Sequence, residues 1–192
     1  MPNLYEVETA RLLLRQFREE ELDSYHERIF NDPRVMAFLP PGRPVPKART
    51  AAWVARCKTH WERYGFGVWA VEERASGELI GHCGLGALEE IPEVEVLYAL
   101  APAHWGKGLA TEAARASVRF GFEQAGLSRI IALAFPNNVG SRRVMEHAGL
   151  RYVKDTYLFD HDLVYYEIER GEFKADSGEY RVTVLFRQEE AG

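Results

Sequence analysis

Apolar and polar residues alternate in short bursts along this chain, and longer stretches with helical spacing separate the bursts. Residues 10 to 17 predict a first strand in which Leu12 and Leu14 face one way. Two helical stretches follow between residues 19 and 38, broken near Asn31. Asp32-Pro33 supplies a capping side chain and a first-turn proline for the second of them. Pro40, Pro41, Pro44 and Pro46 then crowd a linker that regular structure cannot accommodate. Trp53, Val54, Cys57 and Trp61 recur at helical spacing, which predicts a helix over 47–64. Three strand-like runs come next: Gly67 to Glu73, Leu79 to Leu88 and Val94 to Ala101. The turn Arg74-Ala75-Ser76-Gly77 joins the first two. A long helix over 107–125 stops at Gly126, and strand, helix, strand and strand follow over 128–135, 138–148, 150–159 and 163–170. After Phe173 the alternating stretch Glu179 to Phe186 predicts an extra strand. It could pair with the sheet edge of its own protomer or of a second copy, and so build a homodimer. The pattern predicts one α/β domain.

Composition narrows the function classes. A chain of 192 residues is long enough for a single domain with a substantial core. A net charge of −5 argues against a nucleic-acid surface, although it leaves room for a local basic patch. No membrane-spanning stretch or signal peptide is legible, so no membrane partner is expected. Cys57 and Cys83 give no disulfide framework, and a reducing cytoplasm is the simplest setting for them. Cys83 reads as a small apolar side chain on a strand rather than a nucleophile. The six histidines show no ligand spacing, and no metal is expected.

Two segments carry the chemistry. In Trp105-Gly106-Lys107-Gly108-Leu109-Ala110-Thr111-Glu112-Ala113 a strand runs into glycines and then opens a helix, which gathers backbone N–H groups and the positive end of a helix dipole at one spot. Gly106 and Gly108 allow close approach and positive φ there. Downstream, Asn138-Val139-Gly140-Ser141-Arg142-Arg143-Val144-Met145-Glu146-His147-Ala148-Gly149 reads as a capped helix that ends in a left-handed turn. In order and spacing, the two segments resemble the GCN5-related N-acetyltransferases (GNAT superfamily). They are most similar to its branch that acetylates the N-termini of ribosomal proteins. Thr9-Ala10-Arg11-Leu12-Leu13-Leu14-Arg15 and Asn31-Asp32-Pro33-Arg34-Val35-Met36 share the likeness, which runs from about residue 8 to 173.

The resemblance implies a mixed, partly splayed central sheet flanked by helices, with acetyl-CoA as co-substrate and an amine as acceptor. It places the donor in a splay between Val96–Ala101 and its parallel neighbour Ser128–Phe135. The backbone of Ala99, Leu100 and Ala101 would face the pantetheine and the thioester. Trp105, Gly106, Lys107, Gly108, Leu109, Ala110 and Thr111 would cradle the pyrophosphate, with Asn138 and Ser141 also at the cofactor. Glu95 is the candidate base, acting through water or after burial raises its pKa, with contact to a cationic substrate as its other possible role. Many GNAT enzymes carry a Tyr proton donor where Met145 stands, so Ser141 is the candidate donor to the leaving thiolate. A plain helix-start serine is the competing reading. Phe38, Trp69 and Tyr98 would line the acceptor site, with the acidic run Glu89, Glu90, Glu93 and Glu95 beside it and the proline linker as a lid. The expected reaction is direct attack in a ternary complex. A CoA-binding sensor without turnover is the rival. An ATP site is discounted because the loop lacks the Gly-Lys-Ser/Thr ending.

Overall fold

The computed structural model describes residues 3–185 of the chain. Nine strands form one sheet: β1 (Tyr5–Thr9), β2 (Leu12–Arg15), β3 (Val68–Glu73), β4 (Glu78–Ala87), β5 (Val94–Leu100), β6 (Arg129–Ala134), β7 (Arg151–Leu158), β8 (His161–Glu169) and β9 (Tyr180–Val184). Their order across the sheet is β7-β8-β6-β5-β4-β3-β2-β1-β9. Every neighbouring pair is antiparallel except β5 and β6, which run parallel. The crossover between those two is α4 (Leu109–Glu123), because a parallel pair cannot be joined by a tight turn. The parallel register holds only where Glu95 meets Ile131. Beyond that point the sheet opens into the expected splay.

Two clusters of apolar side chains cover the two faces of the sheet. The larger core takes the buried face of α4, including Ala113, Val118, Phe120 and Phe122, together with Trp61, Trp69, Val96 and Leu100. Met145 of α5 (Val139–His147) and Ala148, just past its end, close the same core. The opposite face carries α1 (Leu22–Tyr25), α2 (Pro33–Met36) and the first part of α3 (Lys47–Tyr64), whose last turns bring Trp61 to the larger core. Tyr25, Ile29, Val35, Ala70, Leu79 and Ala99 are buried beneath them. Val96 and Leu100 thus lie on one face of β5 and Ala99 on the other, as the pleat requires.

The sequence reading differs from the structure at the N-terminus. The strand expected over 10–17 is β2 alone, and β1, a strand not predicted, precedes it across a turn at Ala10 and Arg11. The helical stretch before Asn31 continues α1 as a π-turn over His26–Phe30. The extra strand is real as β9, and it pairs with β1 of its own chain. Phe186, the last residue of that expected strand, lies outside the described residues. Among the described residues, no helix is long and apolar enough to cross a membrane.

Candidate active site

Glu95 stands where the two central strands last touch, opposite Gly86 on β4 and Ile131 on β6. Its side chain is half-buried, and burial alone pushes its carboxyl up to about 7. Among the described residues no cation sits beside it to hold it ionised. Glu95 and Ala99 share a face of β5, so the carboxyl points to the side of the N-terminal helices. Further along that face lie Phe17, Tyr25, Phe30, Trp53 and His82, a cluster whose ring centroids stand 4.7–6.3 Å apart. The Tyr25 hydroxyl meets His82 Nδ1 at 2.8 Å, and full burial lowers the imidazole to about 3, so it is neutral. Nothing in the sequence joins this cluster, since its members come from four separate segments.

The glycine loop has the form its sequence predicts. Gly106 and Gly108 hold φ of 73° and 76°, and a Cβ on Gly106 would meet nothing within 4 Å. Gly108 is the N-cap of α4 and brings no side chain to it, so the first-turn N–H groups of Leu109, Ala110 and Thr111 are left for a ligand. A phosphate group fits such a cradle of main-chain donors. Trp105 and Lys107 are exposed. The Trp105 indole N–H donates to the Leu100 carbonyl at 2.7 Å, so that carbonyl is already occupied. Ala101 turns its N–H to Ile80 on β4, away from the splay, and Ala99 registers with His82.

A clamp that the sequence analysis missed fixes this loop from behind. Glu112, in the first turn of α4, accepts from the Thr9 hydroxyl at 2.7 Å and from the Arg11 backbone N–H at 2.9 Å. The Arg11 guanidinium binds the same carboxylate at 2.6 Å and donates to the Lys107 carbonyl at 2.9 Å. A cleft of about 310 Å³ opens beside the clamp, between α4 and residues 173–180. It is lined by Gly108 but not by Glu95, Tyr98 or Ser141.

On α5, Asn138 caps the helix by accepting from the Ser141 N–H at 3.1 Å. Ser141 is half-buried, and its carbonyl and hydroxyl lie 2.9 and 3.0 Å from the Tyr98 hydroxyl. Tyr98 is three residues from Glu95, so it faces α5 and cannot also wall an acceptor on the Glu95 side. Trp69 is corrected too. It is fully buried in the larger core between Trp61 and Phe120, and its indole N–H donates to the Tyr5 carbonyl. Phe38 is half-buried just after α2, beside the proline linker. The acidic run does not act as one patch. Glu93 is paired with Arg129, while Glu89 and Glu90 are exposed in a loop.

Known proteins match this architecture. The acetyltransferase (GNAT) domain family matches residues 11–151. The YkkB protein of Bacillus subtilis is 32% identical over 161 residues, covering 83% of this chain and 92% of its own length. The FsC-acetyl coenzyme A-N(2)-transacetylase of Aspergillus fumigatus is 32% identical over 179 residues, covering 88% of this chain and 74% of its own. The crystal structure of a GNAT-family acetyltransferase from Bacillus anthracis superposes with a TM-score of 0.73 at 28% identity, covering 86% of this chain and 99% of that one.

Proposed function

Because the chain belongs to the GNAT acetyltransferase family, we propose that it moves the acetyl group of acetyl-CoA to a primary amine by direct attack, with Glu95 as the base. The observation that carries this reading is a carboxyl without a partner among the described residues, raised to about 7 at the mouth of the splay, where it can take a proton at neutral pH. Acetyl-CoA brings the acyl group as a thioester, already activated for transfer. The loop from Trp105 to Thr111 would hold its pyrophosphate with main-chain donors, and Lys107 adds charge. Glu95 takes the proton the attacking amine loses as its nitrogen bonds to the carbonyl carbon. On the other side of the sheet, the Ser141 hydroxyl gives a proton to the sulfur as the C–S bond breaks, and regains one from water. Phe38 and the half-buried members of the aromatic cluster, Phe17, Phe30 and Trp53, would flank the acceptor approach on the Glu95 face.

The test is thiol release from acetyl-CoA against a panel of primary amines, including peptides with free N-termini, for the wild type and Glu95→Gln. Turnover with one amine class, lost in the variant, supports the reading and names the acceptor. Undiminished turnover by the variant removes Glu95 as the base.

A further inference from the structure

Tyr98 and Ser141 bridge the open side of the splay. Tyr98 rises from β5 and Ser141 sits in the first turn of α5, so the two elements the sheet does not pair are joined by hydroxyl contacts. The phenol lies 2.9 Å from the Ser141 carbonyl and 3.0 Å from its Oγ. Its one proton lies between the two serine oxygens, and donated toward Oγ it leaves the Ser141 proton to point away from the phenol. Burial keeps the phenol protonated far above neutral pH, so it is a lasting hydrogen-bond donor and not a proton source. A serine hydroxyl rotates freely about its Cβ–Oγ bond, and without a fixed partner its proton samples every direction. Nearby Met145 is buried and offers no hydroxyl in its place.

We infer that Tyr98 is a positioning residue for acyl transfer: it fixes the first turn of α5 through the Ser141 carbonyl and orients the Ser141 hydroxyl toward the leaving sulfur. This rests on the Ser141 role proposed above. The pair lies on the face of β5 opposite Glu95, so the proton leaving the amine and the proton reaching the sulfur are handled on opposite sides of the sheet.

The experiment is a double-mutant cycle in steady-state acetyl transfer with Tyr98→Phe, Ser141→Ala and both together. Each single variant is expected to lower kcat about tenfold, as loss of one hydrogen bond does, with KM for acetyl-CoA within about twofold of wild type. The double variant is expected to be no slower than either single one. A melting curve checks each fold, and Tyr98→Met, a second side chain without a hydroxyl, must reproduce the kcat loss. Wild-type kcat in both Tyr98 variants while Ser141→Ala is slow overturns this inference alone. So do losses that multiply in the double variant, or a loss confined to KM. Wild-type kcat in Ser141→Ala instead removes Ser141 as the proton donor, and this inference falls with that step while the Glu95 role is left to its own test.

Discussion

Glu95 owes its proposed chemistry to what surrounds it. With no cation beside it among the described residues to offset burial, its carboxyl titrates near 7 instead of near 4.5. Base catalysis requires the ionised form, so kcat/KM is expected to rise with pH through about 7 and then level. Glu95→Gln is expected to lower it by 10²- to 10⁴-fold, measured as thiol release. Stability runs the other way. Below pH 4.5 the group is protonated in folded and unfolded chains alike. Between 4.5 and about 7 the unfolded chain releases the proton while the folded chain keeps it, so stability falls as pH rises across that window. Glu95→Gln therefore melts higher than wild type at pH 8, by up to about 3 kcal/mol, and equals it near pH 4. A variant that is slower yet more stable separates function from folding in one pair of measurements. Residue roles were unevenly legible in the sequence. The spacing of Glu95 and Tyr98 already fixes them on opposite faces of any strand, yet Tyr98 was expected on the acceptor side. Trp61 at the end of α3 is a near neighbour in sequence, but the burial of Trp69 is completed by Phe120 arriving from distant α4.

Among the elements, the start of α4 shows how a loop is held ready. Arg11 and Glu112 tie it to the β1–β2 turn, so the main-chain donors keep their aim before any phosphate arrives. Arg11→Ala is expected to raise KM for acetyl-CoA several-fold while kcat at saturation stays within about twofold, since the clamp touches neither Glu95 nor Ser141. The β7–β8 hairpin gives a second prediction. Leu158 pairs with His161 across a two-residue turn whose members, Phe159 and Asp160, hold φ of 55° and 60°. Both are conformations that Asn and Gly adopt at lower cost. Combining Phe159→Asn with Asp160→Gly is expected to add about 1 kcal/mol, read as a melting temperature higher by about 3 °C. The helix caps and glycine turns of this site were legible because they are local: Asn138, Gly106 and Gly108 act within a few residues of themselves. The clamp was not, since 101 positions separate Arg11 from Glu112. Nor was β1, whose turn into β2 at Ala10 and Arg11 carries no glycine or proline.

Across the whole molecule, β9 closes one end of the sheet against β1, and ion pairs fasten it. Arg74 binds Glu8 at 2.9 Å and Glu179 at 3.2 Å, and Arg181 binds Glu8 at 3.0 Å. The Leu185 N–H donates to the Leu4 carbonyl, so every second amide of β9, including that of Thr183, points at β1. Thr183→Pro removes one such bond and is expected to lower the melting temperature by about 5 °C while sparing kcat, because the site is several strands away. At the centre of the sheet the balance is reversed, because a single register pair at Glu95 and Ile131 joins the five strands on one side to the three on the other through β5. The protein is thus a nearly finished arch left open at its keystone. On the proposed reading the keystone is the donor itself, so recognising acetyl-CoA means completing the span and not merely filling a hollow in it.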